Sequence, residues 1–395
     1  MTGDFFLTTW FFLGMRWLCE NVVGNSVFLT ILISTLLLRL ITLFSDIKQR
    51  KQSQKMGELQ PKLEKLQERY KNDQQKLQQE QQKLMKESGV SMLGGCLPLI
   101  LTMVFLFCFI AAFRFWSYEQ NVKILNEMSE NIACAMKADE AVSQDADKVE
   151  CIEAFEAKLA EIEQIKDNDE RRAARAELYT NVEPSTTFLQ SKFLWINNIW
   201  QPDNGFSPTV IPANTFFGAN YATTKKLIYF KENSQAKDEL IALGIFYDER
   251  PTYSDVNESG EVTGVSDASK SGVTYKELTD AQKAGLKKTA VARYNALTAR
   301  LTVVYEGHNN GWFILPILAT LFQVLYVVYS QKSVSKTQAA QGGTGKFMLY
   351  VMPIMSFVFC LSYTAAFAMY WTLSSMAMLI INIILSKVIK TGAKA

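Results

Sequence analysis

Histidine is almost absent from this chain: His308 is the only one in 395 residues. With one imidazole there is no histidine cluster to hold a metal, and His308 reads as an interfacial loop residue. The six cysteines form no CxxC pair and no zinc spacing. No GxxxxGK[ST] phosphate loop occurs, and Gly342-Gly-Thr-Gly345 reads as flexible linker. No segment gathers a nucleophile, a base and an acid. The expectation is a protein with no catalytic residues, no cofactor and no metal, and thus no enzyme.

Charge is the second scarcity, and it is missing in blocks. Four stretches are nearly free of it: 26–44, 92–113, 311–330 and 347–386. The last is 40 residues long. As one helix it would measure about 60 Å, twice the hydrocarbon thickness of a bilayer. It must fold back, and Ser362-Tyr-Thr-Ala-Ala366 is the expected turn. The expected fold class is therefore mainly α: a polytopic membrane protein with five transmembrane helices, a cytosolic helical hairpin and an extracytoplasmic α+β insertion. The expected boundaries are an interfacial amphipathic helix at 1–24, span 1 at 25–46, the hairpin at 47–91 and span 2 at 92–117. The insertion follows at 118–310, then span 3 at 311–330, a cytosolic loop at 331–346, span 4 at 347–363, span 5 at 364–387 and a cytosolic tail at 388–395.

What charge remains sets the orientation. Segment 46–91 holds eleven basic and seven acidic residues, a net of +4, and segments 331–346 and 387–395 each hold three Lys and no acid. Segment 118–310 holds 21 basic and 30 acidic residues, a net of −9. The basic segments belong inside and the acidic one outside, so the N-terminus is expected outside and the C-terminus in the cytosol. Asp4 in place of a basic n-region, and the missing small-x-small site, argue against a cleaved signal.

One charge breaks the pattern. Arg39 lies within span 1, where a guanidinium costs about 2.5–3.5 kcal/mol even on the lenient insertion scale. Either it snorkels to the cytosolic headgroups or it lines a polar site. Thr30, Ser34 and Thr35 share its span and Gln323 sits in span 3. Such hydroxyls either line a groove or bond back to their own helix. Between spans 1 and 2, Leu59, Leu63, Leu66 and Tyr70 fall on one helical face, while Leu77 and Leu84 mark a second helix after Asn72-Asp73. In the insertion, 118–190 reads as acidic helix. Segment 204–273 is rich in Gly, Ser, Thr and Asn, with β-prone runs such as Lys226-Leu-Ile-Tyr-Phe230. A helix is predicted from the box Thr274-Tyr-Lys-Glu277 to about Val304. Cys134 and Cys151 both fall in this external segment, where an oxidising exterior permits a disulfide.

Several of these pieces occur together in one family. The single-Arg span leads into Glu58-Leu-Gln-Pro-Lys-Leu63 and Leu66-Gln-Glu-Arg-Tyr-Lys-Asn-Asp73, then Ser88-Gly-Val-Ser-Met-Leu-Gly-Gly-Cys-Leu-Pro-Leu99. Later come Phe193-Leu-Trp-Ile-Asn-Asn-Ile-Trp200, Ile314-Leu-Pro-Ile-Leu318, Met352-Pro-Ile354 and Tyr370-Trp371. In order and spacing the chain resembles the YidC-type membrane-protein insertases (the YidC/Oxa/Alb family), in a short five-span bacterial form with an unusual outer insertion. It departs at Ser45-Asp46, at Leu101-Thr-Met-Val104 and at Thr364-Ala-Ala366. Arg39 matches the family's groove arginine. The resemblance implies an insertase and chaperone of the bacterial plasma membrane. Its partners would be nascent membrane proteins and the lipid bilayer, with the ribosome and the Sec translocon beside them. A cytosol-open groove around Arg39 would accept clients without a nucleotide. The rival readings are a secondary transporter with Arg39 as an anion site, and a structural membrane protein whose Arg39 only snorkels.

Overall fold

A computed structural model describes residues 6–89, 92–218, 228–246, 253–256, 262–265, 278–333 and 344–392. In chain order the helices are α1 (Phe6–Asn21), α2 (Val27–Arg69), α3 (Gln74–Glu87), α4 (Met92–Ala138), α5 (Lys148–Glu163), α6 (Asn168–Thr180) and α7 (Thr186–Gln190). Then come α8 (Ala213–Phe216), α9 (Ile228–Glu232), α10 (Ser234–Ala242), strands β1 (Tyr253–Val256) and β2 (Val262–Val265), α11 (Asp280–Val304), α12 (Ile314–Ser333), α13 (Thr344–Ser362) and α14 (Ala365–Gly392). Two compact units divide the chain. One holds 115–201 and 206–310, the other 5–114, 202–205 and 311–395.

In the second unit, α2 packs on α1 and α14, and α12 packs on α13 and α14. The Ser26 hydroxyl caps α2 by accepting from the Leu29 N–H. The helix then continues without a break through Pro61 to Arg69. Its 43 residues measure about 65 Å, well beyond the roughly 30 Å of hydrocarbon. Span and hairpin arm are thus one helix. No strong breaker separates them before Pro61, and a single Gly57 costs only about 1 kcal/mol. Asp73 caps α3 by accepting from Lys76 N at 3.0 Å, and Leu59 and Leu63 are buried against Leu84.

Two segments among the described residues are long and apolar enough to cross a bilayer: Val27–Phe44, with mean hydropathy 2.4, and Ala365–Lys387, with mean hydropathy 1.7. Ile314–Tyr329 and Val351–Ser362 are shorter apolar helices. The backbone of α4 is helical from Met92, but the side chains of 91–103 lie outside the described residues. Tyr363 and Thr364 alone separate α13 from α14. These helices leave Leu36, Leu37, Leu40, Ile41, Ile317, Leu321, Ile354 and Ile384 exposed. Apolar rows of this kind are what a water-soluble surface avoids.

A short segment fastens the start of α12. Asp203 is fully buried, and its Oδ1 accepts from the N–H groups of Trp312 (2.6 Å) and Phe313 (3.1 Å). Its Oδ2 accepts from Leu315 N–H at 2.8 Å. A carboxylate at a helix N-terminus satisfies donors that have no partner within the helix. Beside it, Asn204 Nδ2 donates to Leu361 O on α13 at 3.1 Å. The carboxylate fits only because residue 311 is glycine. Gly311 has φ +74°, and a Cβ there would lie 1.9 Å from Asp203 Oδ1.

The first unit is built around a core of mixed aliphatic and aromatic side chains. Phe155, Phe188, Phe217 and Phe246 are buried with Leu125, Met128 and Ile132 of α4. Tyr294 of α11 is buried with its hydroxyl donating to Ile211 O at 2.7 Å, and burial pushes its phenol well above the ordinary value. Arg293 pairs with Glu156 (3.2 Å) and Glu153 (3.5 Å) across α11 and α5. Desolvation raises the Glu156 carboxyl, and Arg293 partly offsets it. The motif Phe193–Trp200 forms a tight loop locked by two buried amides. Asn310 Oδ1 accepts from Asn198 N–H and its Nδ2 donates to Asn198 O, both at 2.8 Å.

Three expectations about this unit change. The α+β insertion is almost wholly helical where it is described. Its sheet content is one antiparallel pair, Tyr253↔Val265 and Val256↔Val262. Of the β-prone run 226–230, Ile228–Phe230 lie in α9, where Phe230 is buried against the Phe246 ring at 5.6 Å. A short apolar run with no neighbouring strand satisfies its backbone most simply as helix. Second, α11 starts at Asp280 from a capping box formed by Thr279 and Gln282; Thr274–Glu277 lie outside the described residues. Third, Cys134 and Cys151 are both free. Cys134 is exposed on α4, whereas Cys151 is buried in the core under α5, so the disulfide weighed from their shared compartment is not formed.

Gly311→Ala is expected to destabilise the protein by at least about 2 kcal/mol, from the left-handed backbone and the displaced carboxylate. Gly14→Ala, in open space on α1, is expected to be neutral or mildly stabilising; thermal melting in detergent compares the two. A maleimide is expected to label Cys134 in the folded protein. Cys151, whose thiol burial pushes up, should be labelled only on unfolding, as read by intact mass.

Candidate functional site around Arg39

Arg39 is half-buried on α2, well inside the apolar segment Val27–Phe44. It does not reach its nearest polar partner along its own helix. Its Nη2 donates to Ser374 Oγ on α14. Its Nε is buried and has no hydrogen-bond partner. Among the described residues no carboxylate pairs with it. One turn before Ser374 on α14 lies the buried Tyr370. Tyr370 in turn stacks on Phe109 of α4, with centroids 4.4 Å apart and rings 8° from parallel.

The α12–α14 face carries more polar contacts. Ser375 Oγ donates to Gln323 Oε1 at 3.3 Å. Thr372 Oγ1 reaches Leu315 O at 3.4 Å as well as Ala368 O at 2.8 Å. Nearer the C-terminus of α14, Tyr329 and Ser386 share a hydrogen bond of 2.7 Å. Buried hydroxyls at this density in an apolar helix pair tie the helices together. They also give α14 a polar side within an uncharged sequence.

Of the residues expected to line a groove, Arg39 and Gln323 fall in this α2–α12–α14 cluster, through Ser374 and Ser375 respectively. Helix geometry separates the others. At 3.6 residues per turn, Thr35 lies about 40° around α2 from Arg39, Ser34 about 140° and Thr30 about 180°. Thr35 is buried on the Arg39 side, but its hydroxyl donates to Ile31 O at 2.6 Å. Thr30 is buried on the far side and donates to Ser26 O at 2.9 Å. Ser34 is half-buried, away from Arg39. Thr30 and Thr35 therefore follow the back-bonding alternative. Ser374, Ser375 and Tyr370 join the site instead. Their only signal in the sequence was adjacency: two serines together in an uncharged run, one turn after a tyrosine.

The sequence profile of a family described as 60Kd inner membrane protein matches residues 18–171 and 275–392, more than half the chain. It covers Arg39, Gln323 and Ser374 and leaves out 172–274. The chain is also similar to a curated relative, Membrane protein insertase YidC of Clostridium perfringens (strain 13 / Type A), with 46% identity over 103 residues. That alignment covers 26% of this chain and 43% of the relative, so the chain spans less than half the length of the relative it matches.

The contact between Ser375 and Gln323 is testable as a pair. In a double-mutant cycle of Gln323→Leu and Ser375→Ala, the expected coupling is about 0.6 kcal/mol, the usual size for an intramembrane hydrogen bond. Equilibrium unfolding in mixed micelles measures it.

Proposed function

Because the chain belongs to the 60Kd inner membrane protein family, we propose that it is a membrane protein insertase that receives nascent membrane proteins from the cytosol and releases their hydrophobic segments into the bilayer. Five spans cross the membrane: those beginning α2 and α4, and α12, α13 and α14. Helix α1 lies in the outer interface, with Trp10, Leu13 and Trp17 exposed along one side. The basic hairpin of α2 and α3 and the basic tail face the cytosol, and the acidic insertion faces outward. The membrane is the bacterial plasma membrane. The protein works without a cofactor, metal or catalytic step.

One observation carries this reading: the guanidinium of Arg39 is underused. It sits in an apolar span, meets one neutral hydroxyl, and keeps Nε buried without a partner. A charge placed at such cost and left incompletely satisfied is poised for a partner that arrives. The partner fitting its chemistry is an acidic or polar stretch at the end of a client bound for the exterior. Drawn partway in, that stretch shortens the apolar distance still to cross. The client's hydrophobic segment then gains about 0.8 kcal/mol for each CH₂ moved from water into the bilayer. The exposed apolar rows of α12 and α14, Ile317, Leu321 and Ile384 among them, offer a surface for it to slide along. The hairpin carries a net +4 over segment 46–91, which suits the anionic RNA of a ribosome, and the Sec channel is a second candidate neighbour.

In cells relying on this protein, Arg39→Ala is expected to abolish insertion of small single-span clients, while Arg39→Lys retains a substantial part. The site needs positive charge more than the planar fork. A photocrosslinker at position 39 is expected to capture a stalled nascent membrane protein. Normal insertion in the Arg39→Ala strain, with altered solute uptake, would point to a transporter instead.

A further inference from the structure

We propose that Ser374 is the resting partner of Arg39, a positioning residue whose hydroxyl holds the guanidinium between α2 and α14 until a client carboxylate takes its place. This deepens the insertase reading and rests on it.

The Arg39–Ser374 contact joins residues 335 positions apart in sequence. Ser374 is buried and lies in a short polar row: Arg39 on α2, Ser374 and Tyr370 on α14, then the Tyr370 ring stacked on Phe109 of α4. Packing fixes Tyr370, and Tyr370 stands beside Ser374, so the hydroxyl has a defined place. That place keeps the Arg39 head at the α14 face, not extended toward the headgroups. The hold is weak by design of its parts. A serine offers one neutral acceptor oxygen. A carboxylate offers two charged ones, and a charge-assisted bond is about twice as strong as a neutral one, with the unpartnered Nε as a further donor. Exchange of hydroxyl for carboxylate is therefore downhill for an acidic client segment. A neutral segment offers amide oxygens no stronger than the serine's and gains little. Ser374 would set a threshold that favours acidic translocated tails.

The test fills the position with a built-in competitor. Full-length protein is reconstituted in liposomes of bacterial phospholipid with two single-span clients, identical except for two Asp or two Asn in the translocated tail. Four proteins are compared: the parent, Ser374→Asp, Ser374→Asn and Arg39→Ala. The Asp and Asn side chains have the same size, so they separate charge from volume. The Asp variant is expected to lower insertion of the acidic-tail client by at least about tenfold, the usual gap between charged and neutral acceptors. The neutral-tail client should lose much less, and the Asn variant, a neutral acceptor like serine, should keep the parent's preference for the acidic tail. Equal loss in the Asp and Asn variants, or equal loss of both clients in the Asp variant, would show a packing defect and overturn the proposal. If Arg39→Ala impairs insertion while Ser374→Asp does not, the role of Ser374 falls and the insertase reading stands. If Arg39→Ala has no effect, that reading fails on its own terms.

Discussion

A positive charge inside an apolar helix is the constraint around which the membrane-spanning unit is organised. Arg39 is half-buried on an apolar helix, and among the described residues no carboxylate neutralises it. What it has is a serine on another helix, a tyrosine nearby, and one buried N–H with nothing to donate to. The bond to Ser374 ties α2 to α14, and the two helices pack. The arrangement is stable enough to position the charge and too sparse to saturate it.

The rest of the unit divides polar from apolar along single helices. On α14, Thr372, Ser375 and Ser386 bond toward α12, whereas Ile380 and Ile384 are left exposed. On α12, Gln323 and Tyr329 meet that seam while Ile317, Leu321 and Leu325 are exposed. A helix pair built this way is polar along its seam and apolar on its exposed sides. That is the geometry a polypeptide needs if its polar and apolar parts are to part company during transfer.

Some of this was legible in the residues and some was not, for identifiable reasons. Arg39 stood out because one charge in a long uncharged run has no bland compositional explanation. The 40 uncharged residues from Phe347 required an interruption because helical rise fixes length, and the interruption falls at Tyr363–Thr364. Leu59 and Leu63 betrayed a buried stripe by spacing, and they are buried. The neighbours of Arg39 were harder. The sequence offers Gln323 on another span and Thr30, Ser34 and Thr35 on its own helix, where Thr30 and Ser34 are close in sequence but turned away by the 100° step of the α-helix. Its actual neighbour comes from α14, and which helices meet is a tertiary fact that one sequence does not state. The β-prone run near Phe230 misled because propensity describes a half-buried sheet surface, and no neighbouring strand pairs with it among the described residues.

Asp203 and Gly311 stand on either side of more than a hundred residues, yet they touch, and their contact fixes the first turn of α12. The stretch between them is thereby stapled at its base. Its length and internal architecture are decoupled from the geometry of the helices that follow. Changes of length within that stretch need not move the first turn of α12, provided the two anchoring residues remain. Of that stretch the family profile leaves out 204–274 and matches again from 275, ahead of α11.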